Sequence, residues 1–508
     1  MMSLKLLILL GDGKMLLRNN RFWDWILICS ISLTILGCNL LIAETAPASL
    51  RAGAATSNIT PWLGVSINGG MRDRTASHIH DELHARCLAL DDGKTRFAIV
   101  ACDSCVIHRD IFDAAKKIVK DKINLPTANM LMCATHSHSA PTACGIFQSD
   151  PDPQYQKYLS RKIADAVIRA FNNITPARIG WGVGKLPQHV FNRRWKMKPG
   201  TIPPNPFGEK NDQARMNPPV GSKDLIEPIG PTDPEVLVLS VQHADGRPLA
   251  LVSNYALHYV GGTGAGHISA DYFGMFADLI QQRLGADRQD PPFVAMLTNG
   301  CSGDINNINF RVRSKSRPPY EQMRRVATDL ADEVFRVCQS LQYKDRAKLN
   351  VAQKTLQLAL RLPSPQDVEK AQKILAQVKG PILKTLPEIY ARETVLLAEY
   401  KPEVEIIVQA LQIGDLAIVA TPCENFVEIG LEIKSKSPFH PTFIFELANG
   451  YNGYMPTVAQ HKLGGYETWR ARSSCLEVNA APKVVDSILD LLRQNKEKSS
   501  PVAQSSSH

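Results

Sequence analysis

From Arg51 onward, short apolar runs alternate with longer stretches of helical periodicity, and this alternation is the strongest constraint on what the chain can fold into. Phe97-Ala98-Ile99-Val100, Met130-Leu131-Met132 and Val236-Leu237-Val238-Leu239 are too short for helices and apolar at successive positions, as strands buried on both faces must be. Residues 249–257, 294–297, 406–411 and 416–419 continue the series. Between them, residues 155–171, 272–284 and 323–341 place apolar side chains at helical spacing. The expected fold class is α/β, with mixed β-sheets flanked by helices.

At 508 residues, 44% hydrophobic and 21% charged, the chain can bury one large core or two smaller ones, which excludes a disordered or fibrous protein. Its formal charge of +9 is spread in ones and twos, as at Arg193-Arg194 and Arg324-Arg325, so no nucleic-acid partner is expected. Of eleven cysteines, Cys29 and Cys38 fall near the N-terminus, leaving nine, an odd number that cannot all pair. Cys102 and Cys105 form a C-x-x-C without the second pair that a four-thiolate zinc site needs. These thiols are expected to be core residues.

Residues 1–48 read as an export signal: Arg18 and Arg21 precede an apolar run from Trp25 to Leu36, and small residues follow at Ala43, Ala46 and Ala48. Leu36-Gly37-Cys38 also fits lipid attachment, and extension of the run through Ala43 would make an uncleaved anchor. The expected location is therefore outside the cytoplasm, with association to a membrane surface through this segment or a lipidated Cys38. A catalytic domain is expected over 49–492, with 195–231 as a long loop beside the substrate entrance and 363–400 as a helical insertion. A last helix is expected at 483–492 and a disordered tail at 493–508.

The residues that can carry chemistry sit where apolar runs end. Ala134-Thr135-His136-Ser137-His138 follows the run at Met130, and in extended backbone His136 and His138 project to one face. One can then bind a metal while the other contacts substrate or orients a ligand. His258 closes the 249–257 run ahead of Gly261-Gly262, and Glu424 follows the 416–419 run in Thr421-Pro422-Cys423-Glu424-Asn425-Phe426. Such junctions are where open α/β sheets build sites. Downstream, Asn449-Gly450-Tyr451-Asn452-Gly453-Tyr454 and Gly464-Gly465-Tyr466-Glu467 set tyrosines in glycine-rich turns.

Taken in order, T-H-S-H-S-A-P, N-Y-A-L-H, N-G-C-S-G-D-I-N-N, P-C-E-N-F, and N-G-Y-N-G-Y with G-Y-E twelve residues beyond Tyr454 resemble the signature of the neutral ceramidase family. The resemblance runs from about Thr56 to Tyr466. It implies the ceramidase-type catalytic domain and a zinc ion held by His136, His258, Glu424 and Tyr454. It also implies catalytic roles for His138, Arg193 and Tyr466. Two imidazoles, a carboxylate and a phenol form a nitrogen and oxygen set suited to Zn2+. The implied reaction is hydrolysis of an N-acyl bond in a small amphiphilic substrate, ceramide or a related lipid amide, with zinc-activated water as the attacking group.

Two departures bear on substrate. The family pattern G-D-V-S-P-N meets Gly303-Asp304-Ile305-Asn306-Asn307-Ile308 here, so Asn306 replaces a serine and is expected to tune specificity without being the nucleophile. The chain also ends about forty residues after Tyr466, and the C-terminal immunoglobulin-like domain of ceramidases is not expected. A catalytically inactive zinc-containing cell-surface binding protein is the alternative that Asn306 favours and the four retained ligand types oppose.

Overall fold

Why the apolar runs are uninterrupted becomes clear from the sheet they build. In the computed structural model, which describes residues 49–313 and 316–499, eight strands form one mixed sheet. Its order is Val294–Asn299, Pro248–Tyr255, Glu235–His243, Thr175–Lys185, Arg51–Asn58, His84–Asp91, Arg96–Cys102 and Met130–Ala134. The two outermost pairings are parallel and the inner ones antiparallel. A second sheet, ordered Leu349–Ala359, Glu403–Ile413, Leu416–Ala420 and Thr442–Phe445, lies against the first.

Alternate residues serve the two faces. Leu88, Leu90, Phe97 and Ile99 of the large sheet meet Leu411, Leu416, Ile418 and Phe443 of the small one in a core between the sheets. Cys87, Ala89, Ala98 and Val100 point the other way, under helices Arg109–Ile123 and Pro153–Asn172. Helices Asp271–Arg283 and Glu321–Cys338 cover the rest of that outer face, and Val427–Lys436 and Ala480–Ser499 cover the small sheet. Each large aliphatic residue so buried contributes about 1.5–3 kcal/mol. Both faces of a strand must then be apolar, which the sequence records. All nine described cysteines are unpaired.

Two expectations need correction. Residues 195–231 are not irregular throughout, because Arg194–Met197 lies between Ala214–Met216 and Leu225–Pro228 in a small antiparallel sheet whose Trp195 and Met197 pack with Phe310, while the segments between these strands are turns and loop. Strands of three or four residues between prolines and lysines carry too little periodicity to be read. The last helix runs from Ala480 to Ser499, well past Leu492, because tertiary contacts hold a polar stretch in place. Asn495 is buried and donates to Ala410 O, and the Lys348 ammonium donates to Lys498 O.

Helices Pro365–Ala376 and Leu386–Leu397 occupy the 363–400 span, each opened by a capping box. The expected export segment, and the tail beyond 499, lie outside the described residues. Among the described residues no helix is long and apolar enough to cross a membrane.

Candidate metal centre

Three of the expected ligands leave the C-terminal ends of strands that have parallel neighbours: His136 after Met130–Ala134, His258 after Pro248–Tyr255 and Glu424 after Leu416–Ala420. Backbone bonds from Thr135 N to Cys102 O and from His136 N to Ser104 O turn the chain out of the sheet. His136 sits in the left-handed region at φ 77°. The two histidines therefore converge through a turn, not because extended backbone sends them to one face. A non-glycine residue held at positive φ costs about 1–3 kcal/mol, strain that concentrates at functional sites.

His136 Nε2 is the hub. It lies 3.0 Å from His258 Nε2, 3.2 Å from His138 Nε2 and 3.2 Å from Glu424 Oε2. The donor atoms of His136, His258 and Glu424 all lie within 4.8 Å of one another, and all three residues are buried. The other ring nitrogens settle what faces the centre. His136 Nδ1 donates to Cys105 O at 2.9 Å and His258 Nδ1 to Ser302 O at 3.0 Å. Since a carbonyl only accepts, each Nδ1 carries a hydrogen, so in the neutral ring each Nε2 presents a lone pair.

With both rings neutral, two lone pairs 3.0 Å apart beside a carboxylate repel, and a cation among them, a proton on His136 or a metal ion, relieves the repulsion. Glu424 Oε2, though buried, accepts no hydrogen bond. Burial pushes all three imidazoles towards the neutral form. At His136 the Glu424 carboxylate and Cys105 more than reverse this and hold the pKa well above its usual value. Burial, His136 and Arg193 keep His138 and His258 well below theirs. Positive charge is thus drawn to one place, between His136 and Glu424, and the donor set there fits Zn2+. Tyr454 is the direct register partner of Glu424 in a two-residue parallel pairing and lines the same pocket.

Arg193 closes one side. Its Nη2 donates to the Tyr454 phenol oxygen at 3.1 Å, Nη1 lies 3.3 Å from His258 Nε2, and Nε donates to Glu467 Oε1 at 3.0 Å. Tyr466 packs edge-on to Tyr454 with ring centroids 5.7 Å apart and lines the same pocket as His136, His138 and Glu424. His138 stacks on Tyr259 at 3.6 Å between centroids. Asn306 stands apart from this ring. It is half-buried, and its Nδ2 donates to Asn217 Oδ1 at 3.1 Å.

Four neighbours have no role in the sequence reading: Gly69, against His138; Tyr259, stacked on it; Tyr451, bonded to Glu424; and Glu467, between Arg193 and Arg194. Tyr451 had a visible signal, since it heads the same Asn-Gly-Tyr repeat as Tyr454.

Residues 51–316, just over half of the chain, match the family described as neutral/alkaline non-lysosomal ceramidase, N-terminal. The chain belongs to this ceramidase family. Neutral ceramidase B of Dictyostelium discoideum is 24% identical over 246 residues, which are 45% of this chain and 31% of that protein. The chain thus spans about a third of the length of this curated relative.

Among solved structures, the neutral ceramidase from Pseudomonas aeruginosa superposes with a TM-score of 0.67 at 17% identity, over 89% of this chain and 75% of that one. A ceramidase complexed with C2 gives 0.66 at 16%, over 89% and 76%. These likenesses establish the ceramidase-type α/β fold. The family match covers His136, His138, Arg193, His258 and Asn306. Glu424, Tyr454 and Tyr466 lie beyond it in sequence and are brought back to the centre by the second sheet and the turns after it.

Proposed function

We propose that this ceramidase-family chain is a zinc-dependent hydrolase that cleaves the amide bond of an amphiphilic N-acyl substrate, ceramide or a related lipid amide. The observation that carries the reading is the convergence of the inward Nε2 atoms of His136 and His258, 3.0 Å apart, beside the unbonded Oε2 of Glu424. With Tyr454, these residues would hold the ion. Bound Zn2+ would supply Lewis acidity, polarising the acyl carbonyl and lowering the pKa of water.

The chain's own groups account for the rest of the reaction. Arg193 holds two N–H groups towards the centre and can donate to the oxygen that gains charge as water adds to the carbonyl carbon. Tyr466 offers a phenol to the same oxygen. His138 directs Nε2 at the centre, so it can take the proton of the attacking water and return it to the amine nitrogen as the C–N bond breaks. Burial of His136, His258, Glu424 and Arg193 excludes bulk water and strengthens each of these contacts. The reading includes export, supported by the basic-then-apolar pattern of residues 1–48, and no nucleic-acid partner.

The test is to assay purified protein on ceramides and other N-acyl compounds with and without chelator while counting bound metal. Chelator-sensitive hydrolysis with one zinc per chain, lost in His136→Ala, is expected. Protein that binds no zinc and cleaves none of the panel would sink the reading. Mass spectrometry of the mature N-terminus should find a cut between Gly37 and Ala48, and an intact cytoplasmic chain would refute export.

A further inference from the structure

Two arginines enclose Glu467. Its carboxylate is wholly buried, with Oε1 accepting from Arg193 Nε at 3.0 Å and Oε2 from Arg194 Nη1 at 2.6 Å. Consecutive residues of a strand point to opposite faces. Here the chain leaves strand geometry at Arg193, between Phe191–Asn192 and Arg194–Met197, and both guanidinium groups reach one carboxylate.

Arg194 is itself fixed. Its Nε donates to Gln460 Oε1 at 3.2 Å and its Nη2 to Gly464 O at 2.7 Å, and its guanidinium lies 5.1 Å from the centre of the Phe426 ring. It is the largest fully buried side chain among the described residues, and of its side-chain hydrogen bonds only the one to Glu467 leads on to Arg193. A fully buried cation with no direct task at the centre is expensive. Its contacts make sense as an anchor.

We infer that Glu467 is a positioning residue that holds Arg193 by its Nε edge, so that Nη1 and Nη2 are kept facing His258 and Tyr454, with Arg194 as the fixed post that stops the carboxylate from turning. This rests on the reading of Arg193 as the group that donates to the developing oxyanion. An arginine is a strong oxyanion donor only when its planar fork is already aimed, because aiming it during the reaction consumes the stabilisation it gives. Glutamine cannot replace Glu467, since a carboxamide accepts at one atom and would turn an N–H group towards the other arginine.

The test uses the full zinc-loaded chain and the variants Glu467→Gln, Glu467→Asp, Arg193→Ala and Arg193→Ala/Glu467→Gln. Losing an oxyanion donor outright costs about 10²–10³ in kcat. For Glu467→Gln we expect kcat to fall about 10- to 100-fold, within that bound, with KM and zinc content little changed. The double variant should be no slower than Arg193→Ala alone, because Glu467 acts through Arg193.

A residue that merely supports the fold would multiply the two losses, and that result would overturn the inference. If Glu467→Gln fails to fold, Glu467→Asp keeps the charge and draws it back by one methylene, with the same pattern expected. A crystal structure of the aspartate variant decides the matter without activity. Arg193 rotated off Tyr454 supports the inference and Arg193 unmoved refutes it, even if no N-acyl substrate is cleaved and the proposed reaction fails.

Discussion

The phenol of Tyr451 donates to Glu424 Oε1 at 2.9 Å, while Oε2 of the same carboxylate, turned to His136 and His258, accepts no hydrogen bond. One oxygen is held and, under the proposed reading, the other would meet the ion, the arrangement by which an outer partner fixes the orientation of a ligand. Losing such a partner typically costs about 10–100-fold in metal affinity. Tyr451→Phe keeps the ring and removes the donor, so zinc affinity should fall by about that factor, with activity recovered at excess zinc. Chelator competition on the wild type and the variant measures it, and equal affinities would mean that packing alone orients Glu424.

Gly69 sits at φ 98°, and a Cβ there would stand 2.6 Å from Nδ1 of His138. The imidazole cannot retreat, because Tyr259 is stacked on it. Gly69→Ala must therefore displace either His138 or its own strained turn. A displacement near 1 Å at a reacting group can cost about 100-fold in rate, while His136, His258 and Glu424 are untouched. We expect kcat to drop by one to two orders of magnitude at unchanged zinc content. Wild-type turnover in this variant would remove His138 from the catalytic groups.

Much of this was legible in the sequence, and the misses have physical causes. Met130–Ala134 and Leu416–Ala420 were readable because burial on both faces forbids polar residues. Thr175–Lys185 was not, because Gly180, Gly182 and Gly184 dilute its apolar signal. Those glycines make room for helix Glu321–Cys338 and the turn after it. A Cβ at Gly182 would lie 2.8 Å from Leu341 Cδ2 and 2.9 Å from Val337 Cγ1. At the site, His136, His258 and Glu424 were findable because each ends an apolar run. Glu467 stands in a glycine-rich motif, and nothing local to it reveals that the chain returns it to Arg193 and Arg194.

Glu446 gives the protein a pH dependence of definite sign. Burial pushes its carboxyl up to about 8, against the bonds it accepts from Ser302, whose carbonyl holds His258 Nδ1; the charge of His136 opposes the rise and that of Glu424 adds to it. A folded pKa above the unfolded 4.5 means that the native state holds the proton more tightly. The contribution to stability is full below the unfolded value and is lost as pH rises through the folded one. Glu446→Gln can keep all three bonds: its oxygen accepts from Ser302 N and Asn425 N, and its NH2 donates to Ser302 Oγ. The variant should melt with the wild type near pH 5 and a few degrees higher near pH 9, at equal zinc loading. Melting curves with a constant offset across that range would contradict a proton bound at Glu446.

Asn306 joins the two segments that bring Arg193 and His258 to the centre. It pairs with Phe191 across a short antiparallel ladder, its Nδ2 donates to Asn217 Oδ1, and Asn217 N in turn donates to Arg193 O. The adjacent Asn307 donates to Val260 O, two residues beyond His258. Asn306 can thus bear on the site through the segments that carry Arg193 and His258, and a neutral carboxamide is no nucleophile towards an acyl carbon. Serine at this position is too short to reach Asn217 and would release that carboxamide. Asn306→Ser is therefore expected to keep zinc and to change the ratio of kcat/KM values among N-acyl substrates. Asn306→Ala should lose about 0.5–1.5 kcal/mol, up to roughly tenfold in kcat/KM, on the best substrate of the wild type. If both variants kept wild-type rates and selectivity across the panel, the replacement of the family serine would have no bearing on substrate choice.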